Sequence, residues 1–190
     1  MGSLPTAFLL VRRKAGIDIR ASGSGNVGGY NAYYVTRSRL VGLLVILLDV
    51  LKGWLPVVGV GLLSGGDFWI QATALGGVLI GHNYPVWLAF KGGRGLASAA
   101  GGLFGLGVSY MIVWILVWTA SYWQRRDILR GNVFAIVATP LVIFLLPSSW
   151  IEATMIARAS VSDYRLFSLI LSLIHLLSHH DAVRSIVRHH

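Results

Sequence analysis

Long apolar segments separated by short basic connectors restrict what this chain can fold into. The longest, residues 97–123, runs for 27 residues without an Asp, Glu, Lys or Arg, and a helix needs about 20 apolar residues to cross a bilayer. Further apolar segments occupy residues 40–63, 68–90, 133–147 and 166–177. The last reaches spanning length only if it extends backward through residues 159–165. The pattern predicts an all-α, polytopic membrane helix bundle, a single integral membrane domain over residues 1–190.

The composition excludes several classes of protein. Charged residues make up 12% of the chain, against about 25% in soluble domains, which excludes a soluble globular enzyme and a disordered tail. The net charge of +9 does not indicate a nucleic-acid partner, because a soluble basic protein of that kind would not carry long charge-free runs. The absence of cysteine excludes disulfides, thiolate catalysis and Cys-ligated metals.

The distribution of basic residues predicts the orientation in the bilayer. Of the 16 Lys and Arg residues, 13 fall within residues 12–39, 91–94, 125–130 and 184–188. The connectors at 64–67 and 148–163 together hold only Arg158. Because cytoplasmic loops carry the excess of Lys and Arg, we expect the first group to face the cytoplasm and the second to face outward.

Two segments do not fit a series of simple crossings. Residues 97–123 have basic connectors at both ends, so we expect a hairpin of two short helices that turns near residues 105–109, where glycines favour a turn. Residues 1–11 are apolar but half as long as a span. They predict the inner half of a first helix whose outer half is missing.

The first polar loop contains a glycine pattern. Gly23, Gly25 and Gly28 spell G-x-G-x-x-G, but no buried strand precedes it, which excludes a dinucleotide fingerprint. Glycines let successive N–H groups point into one anion-binding concavity, and Ser24 and Asn26 add possible donors. The alternative interpretation is a flexible polar loop.

A second glycine-rich loop follows Pro85. Gly92, Gly93 and Gly95 surround Arg94 next to the start of the following helix, with Lys91 close by in the sequence. A helix N-terminus offers free N–H groups and partial positive charge, so this loop indicates a phosphate cradle. It lacks the G-K-[ST] ending of a P-loop, and ATP hydrolysis is therefore not indicated.

Charged and titratable residues also occur inside or beside the spans. Asp49 and Lys52 share a helix face, which is consistent either with an internal ion pair that orders the bundle or with a direct functional role. His175 and His179 lie one helical turn apart, but no third ligand accompanies them. We therefore expect no metal, and we interpret a histidine there as an acid, a base or a phosphate partner.

Three motifs in order resemble a known family. They are SGNVGGYN at residues 24–31, DVLKGWLP at 49–56 and GHNYPVWLAFKGGRG at 81–95. This combination is similar to the bacterial acyl-phosphate:glycerol-3-phosphate acyltransferases, whose motifs read close to GSGNxGATNxxR, DxxKGxxP and GHxFPxxxxFxGGKGxAT. The similarity covers residues 2–98 well and the remainder faintly. It implies a seven-helix bacterial inner-membrane enzyme with its motifs on the cytoplasmic face, here with a truncated first helix.

The resemblance, together with the loop chemistry, assigns the candidate site. We expect Ser24, Asn26, Arg94 and His179 to be catalytic. We expect the substrate-binding residues to be Gly23, Gly25, Gly28, Asn31, Lys52, His82, Gly92, Gly93 and Gly95. Departures from the family pattern are Gly29-Tyr30 for Ala-Thr, Tyr34 and Arg94 for Arg and Lys, Ser178 and Ala182 for Arg and Asn of the closing motif, and a missing final G-x-E.

The implied reaction transfers a fatty acyl group from acyl phosphate to the 1-hydroxyl of glycerol 3-phosphate, giving lysophosphatidate and phosphate. No cofactor is implied, and the expected partners are these two substrates and the lipid bilayer. The alternative is a non-catalytic or degenerate membrane paralogue, which the departures in the closing motif favour. A small transporter is disfavoured, because few polar residues other than Asp49, Lys52 and Gln71 lie within the spans.

Overall fold

The computed structural model describes residues 1–188, which form ten α-helices and two short 3₁₀ turns. The helices are α1 Thr6–Ala15, α2 Gly29–Thr36, α3 Arg39–Leu63, α4 Phe68–Asn83, α5 Leu96–Leu106, α6 Ser109–Arg125, α7 Ile128–Leu145, α8 Ser148–Thr154, α9 Val161–Ser178 and α10 His180–Arg188. The 3₁₀ turns are Ile19–Ala21 and Val86–Leu88. Of the helices within residues 1–188, α3, α7 and α9 are long and apolar enough to cross a membrane. The prediction of an all-α, multi-pass membrane bundle is confirmed.

Helix α3 packs closely against α5 through glycines. A Cβ on Gly53 would collide with the main chain of Ser98, and a Cβ on Gly101 would collide with the main chain of Val50. Small residues allow two membrane helices to bring their backbones together, which gains van der Waals contact where no hydrophobic driving force separates helix from lipid. This packing fixes the start of α5 relative to the middle of α3.

The predicted hairpin is confirmed. Residues 97–123 fall into two helices, α5 and α6, separated at Gly107 and Val108. Gly107 has a φ of 155°, and a Cβ there would crowd the ring of Tyr164. The Tyr164 hydroxyl donates to the Gly107 carbonyl over 2.9 Å and accepts from the Tyr110 amide over 3.1 Å. The turn is therefore held by α9.

Helix α4 is shorter than the sequence indicated. The span predicted over residues 68–90 ends at Asn83, because Tyr84 leaves helical geometry and Pro85 follows it. The remaining seven residues form a 3₁₀ turn and the beginning of the glycine loop. By contrast, α9 does extend backward to Val161, as the segment 166–177 required.

The connectors separate to opposite ends of the bundle as the charge distribution predicted. At one end, Arg158 N donates to Gly66 O over 3.2 Å, and Ile156 N donates to Leu106 O over 3.1 Å. These bonds bring together the α3–α4 connector, the hairpin turn and the segment after α8. The glycine-rich loops lie at the other end, where α1 packs against α2 and α3 around a small core that includes Val11, Ile19 and Val45.

Candidate functional site

A single buried side chain, Asn31 of α2, holds the first glycine loop. Its Oδ1 accepts from the Ser24 amide over 3.0 Å. Its Nδ2 donates to the carbonyls of Ile19, Ser22 and Asn26 over 3.3, 3.0 and 2.9 Å. Asn31 is 1% exposed. It therefore acts on the loop from beneath, and every hydrogen-bonding group of its amide is engaged by the backbone.

Glycine is required where this loop passes over Asn31. Gly23 and Gly25 have φ values of 61° and 72°, a region that side chains other than glycine rarely adopt. A Cβ on Gly23 would collide with Oδ1 of Asn31. The resulting turn leaves Ser24 exposed at its tip and Asn26 half-buried beside it.

The second glycine loop folds back onto the end of α4. Gly92 N donates to Asn83 O over 3.1 Å, and Gly93 N donates to His82 O over 3.2 Å. These two amides therefore satisfy carbonyls at the helix C-terminus, and they are not the free phosphate donors that the sequence indicated. A Cβ on Gly93 would collide with the His82 ring and with the Val27 carbonyl. Gly93 is thus the point where the two loops touch.

Arg94 projects from this loop just before α5 begins. Gly95, at the helix N-cap, has a φ of 77°, which turns the chain into the helix. The Arg94 Nη2 donates to Oδ2 of Asp181 over 3.1 Å, and its carbonyl accepts from the Ser178 hydroxyl over 3.2 Å. The residue is therefore tied to α9 and α10 by its side chain and by its backbone.

An arginine that sequence reasoning did not assign connects the two loops. Arg20 pairs with Asp18 over 2.6 Å and donates through Nη1 to the Leu88 carbonyl over 3.0 Å. The side-chain hydrogen bond from Arg20 lowers the pKa of Asp18 to about 2. The Asp-x-Arg spacing was the only available signal in the sequence, and it does not indicate the contact with Leu88.

Two adjoining cavities open around these loops. The small cavity has a volume of about 270 Å³ and the large cleft about 1170 Å³. The small cavity is lined by Ser24, Gly25, Asn26, Asn83, Tyr84, Phe90, Lys91, Gly92, Gly93, Arg94, Ser178, His180 and Asp181. Three of these residues, Ser24, Asn26 and Arg94, also line the large cleft. They form the wall that the two cavities share.

The large cleft is bordered by two helix N-termini and by aromatic residues of α6. Gly29 and Tyr30 begin α2, and Leu96 and Ala97 begin α5. Amides in the first turn of a helix have no intrahelical partner, so both helix starts present N–H groups and partial positive charge. The rings of Trp114, Trp118 and Tyr122 stack along α6, with centroids 6.2 and 5.1 Å apart. Sequence reasoning missed this aromatic row, whose i, i+4 spacing was visible.

The ion pair predicted within α3 lies beneath the site. The Lys52 Nζ is 2.7 Å from Oδ1 of Asp49 and donates to the Leu4 carbonyl over 3.2 Å. Within the described chain, Asp49 borders the large cleft and Lys52 borders neither cavity. His82 also borders the large cleft, and its Nδ1 is 3.3 Å from the Ser98 hydroxyl.

The structure buries His179 away from both cavities. Its Nδ1 lies 2.8 Å from the His175 carbonyl, and burial lowers its pKa to about 4. In the described part of the chain, His180 and Asp181 line the small cavity, whereas His179 does not. Among residues 1–188, no three His, Cys, Asp or Glu side chains lie close enough to hold a metal ion.

Together, the helix bundle and the loop cluster define a multi-pass integral membrane protein with a polar site at one end of its helices. Residues 1–189 match the glycerol-3-phosphate acyltransferase family. The glycerol-3-phosphate acyltransferase of Geobacter sulfurreducens is 39% identical over 143 residues, which cover 75% of this chain and 72% of that relative. The glycerol-3-phosphate acyltransferase 2 of Thermotoga maritima is 37% identical over 146 residues, covering 77% and 74%.

Solved structures agree with this assignment. The crystal structure of PlsY (YgiH), an integral membrane glycerol 3-phosphate acyltransferase, in its glycerol 3-phosphate form is similar with a TM-score of 0.74 and 25% identity, covering 98% of this chain and 88% of that one. The lysophosphatidic acid form gives a TM-score of 0.77 at 24% identity, covering 98% and 86%. The chain belongs to the glycerol-3-phosphate acyltransferase family.

Proposed function

We propose that this chain transfers a fatty acyl group from acyl phosphate to the 1-hydroxyl of glycerol 3-phosphate, at the wall shared by the two cavities. The observation that carries the proposal is that Ser24, Asn26 and Arg94 border both spaces. Typical pockets for small organic ligands measure about 300–1,000 Å³. The small cavity therefore suits a three-carbon phosphate, and the large cleft suits a ligand with a long apolar chain.

The chemistry requires positioning more than activation. Acyl phosphate is already an activated anhydride, so the hydroxyl oxygen attacks its carbonyl carbon, the new C–O ester bond forms, and the C–O bond to phosphate breaks. Bringing two reactants together in the correct geometry supplies much of the rate in such a reaction. Donors aimed at the developing oxyanion supply more. A covalent acyl-enzyme is not needed.

The phosphate groups would be held by one cation and by helix starts. Arg94 offers a charge-assisted contact, and the first-turn amides of α2 and α5 face the large cleft. Ser24 and Asn26 add side-chain donors from the first loop. Gly92 and Gly93 then serve as the scaffold that joins this loop to α4, and Asn31 serves as the residue that shapes the Ser24 turn.

The departures in the closing motif make contacts of their own, which supports an active enzyme. Ser178, in the place of the family arginine, donates to the Arg94 carbonyl over 3.2 Å and to the His175 carbonyl over 2.9 Å. It therefore links the end of α9 to the second glycine loop. The buried setting of His179 supports a role in fixing this helix end, and Lys52 and His82 support the site from below.

We further propose that the site faces the cytoplasm of a bacterial cell across its inner membrane. The basic connectors, including Lys91, Arg125 and Arg126, lie at the end of the bundle that carries the glycine loops. The opposite connectors carry few basic residues. This asymmetry favours the loop-bearing end on the cytoplasmic side.

Purified protein supplied with acyl phosphate and glycerol 3-phosphate tests the function. We expect lysophosphatidate and phosphate to form in equal amounts, and we expect acyl-CoA to be a poor donor, because the cavities show no feature specific for its nucleotide. Turnover with acyl-CoA that equals or exceeds turnover with acyl phosphate would contradict the donor assignment. A protein that folds and forms no lysophosphatidate from either donor would be the degenerate paralogue.

A further inference from the structure

Asp49 has a carboxylate whose contacts are all on one oxygen. Its Oδ1 accepts from the Thr6 hydroxyl over 2.6 Å and pairs with the Lys52 Nζ over 2.7 Å. The His82 Nδ1 lies 3.9 Å from the same oxygen. Asp49 is 2% exposed, so these contacts form in a largely water-free interior.

The second oxygen, Oδ2, accepts no hydrogen bond from any of residues 1–188. A carboxylate can accept about four hydrogen bonds, and a buried acceptor left without a partner is costly. Asp49 borders the large cleft together with Ser24 and Arg94. The acceptor that the protein leaves unused is therefore next to the space where substrate binds.

The charge of Asp49 restricts what this partner can be. Lys52 balances the carboxylate at 2.7 Å, so the pair is neutral as a unit and tolerates an anionic ligand in the cleft. An ionised carboxylate can only accept hydrogen bonds. A phosphate oxygen or a carbonyl, which are also acceptors, cannot pair with it, whereas an alcohol hydroxyl can.

We propose that Asp49 contacts substrate directly, and that its Oδ2 accepts a hydrogen bond from the reacting hydroxyl of the acceptor. This inference rests on the proposed function, because the acceptor in that reaction is a phosphate monoester that carries alcohol groups. Arg94 and the helix starts hold the phosphate, and Asp49 orients the oxygen that attacks. The substrate class is thereby read at both ends, as an anion at one and a hydroxyl donor at the other.

The test compares ligands that differ in the hydroxyl. Glycerol 3-phosphate, 3-hydroxypropyl phosphate and n-propyl phosphate share the phosphate, and the last lacks any alcohol group. In the Asp49→Asn variant, an amide NH₂ can stand in place of Oδ2. We expect kcat/KM for the two hydroxyl-bearing acceptors to fall about ten- to a hundredfold. The inhibition constant of n-propyl phosphate and the KM for acyl phosphate should change by less than about twofold.

Two further variants keep the result interpretable. Thr6→Val removes a donor to Oδ1 without touching Oδ2, and it should leave the selectivity between hydroxyl-bearing and plain alkyl phosphates unchanged. If Asp49→Asn does not fold, because Lys52 is left without its counter-ion, the double variant Asp49→Asn/Lys52→Met removes both charges together. The same loss, confined to hydroxyl-bearing ligands, is expected of it.

A proportional loss of n-propyl phosphate binding in Asp49→Asn or the double variant would overturn the inference, since Asp49 would then act only through the fold. Wild-type kinetics in Asp49→Asn would overturn it as well. Equilibrium binding of the same ligands separates this outcome from failure of the proposed function. A wild-type protein that binds glycerol 3-phosphate without acylating it contradicts the function, and the ratio of its affinities for the three ligands in each variant still decides on Asp49.

Discussion

Arg94 and Asp181 form an ion pair at the small cavity, with 3.1 Å between Nη2 of the arginine and Oδ2 of the aspartate. The Arg94 side chain is 17% exposed and that of Asp181 is 60% exposed. Burial raises the pKa of Asp181, but the charge and hydrogen bond of Arg94 outweigh this and lower it overall. The carboxylate is therefore ionised at neutral pH, and it occupies the guanidinium that we propose for substrate phosphate.

Asp181→Asn should strengthen binding of the acceptor, because the phosphate no longer competes with a carboxylate for Arg94. An ion pair this exposed contributes about 0.2–1 kcal/mol, so we expect the KM for glycerol 3-phosphate to fall by up to about fivefold with kcat nearly unchanged. Steady-state kinetics measures both. Glu152→Gln, on α8 at the opposite end, is the matched control. A higher KM in Asp181→Asn would show that Asp181 orients Arg94 for substrate.

Arg94→Ala removes a charge-assisted contact of about 1.5–3 kcal/mol, and kcat/KM should fall about ten- to a hundredfold or more. Arg94→Lys restores the charge in the form that the family carries, and it should retain activity despite the loss of planar geometry. Arg13→Ala, an exposed cation on α1, controls for total charge. An Arg94→Ala protein that expresses normally and turns over like wild type would remove Arg94 from the site.

Asn31→Ala removes four hydrogen bonds that shape the Ser24 turn. At about 1 kcal/mol for each bond, the turn should lose its fixed geometry, and kcat/KM should fall by at least about tenfold. Thr36→Ala removes one bond, to the Ala32 carbonyl, from the far end of the same helix and should stay within about twofold of wild type. Equal activity in the two variants would contradict the positioning role of Asn31.

Gly93→Ala places a methyl group against the His82 ring and the Val27 carbonyl. The two glycine loops must then separate, and we expect activity to fall more than about tenfold, because misplacement of about 1 Å can cost a hundredfold in rate. Gly77→Ala is the control, since a Cβ there meets nothing within 4 Å. It should preserve activity and leave thermal stability equal or slightly higher. Retained activity in Gly93→Ala would show that the contact between the loops is dispensable.

Single cysteines can report the orientation, because the chain has none of its own. Lys91 lies beside the site and Ser148 lies at the opposite end, and both are exposed. With an impermeant thiol reagent applied to intact cells, we expect labelling of Ser148→Cys and not of Lys91→Cys. Both should react after permeabilisation, which controls for reactivity. The reverse pattern would place the site on the outer face.

The bundle was predictable from the sequence where charge and length were decisive. Basic connectors at both ends of residues 97–123 left a hairpin as the economical solution, and the structure has it. The end of α4 was not predictable by hydropathy, since residues 84–90 are nearly as apolar as the helix before them. There the local effect of Pro85 on the preceding residue decided where the helix ends.

The candidate site was predictable at the level of loops and less so at the level of atoms. Glycine patterns indicated both loops, but the partners of the Gly92 and Gly93 amides depend on how the loop folds back onto α4. The family motif selected His179 by residue type. Whether that side chain or the following ones face the cavity depends on the break between α9 and α10, which no spacing in the sequence specified.

The Tyr164 hydroxyl bridges the carbonyl of Gly107 and the amide of Tyr110, and this has a consequence for biogenesis. During synthesis, the α5–α6 turn emerges before Tyr164 has been added, 57 residues after Gly107. Until α9 inserts, the two polar groups of the turn must be satisfied by water or by lipid headgroups at the bilayer surface. The hairpin thus becomes fully seated only when α9 arrives, and insertion proceeds in an order that its own turn enforces.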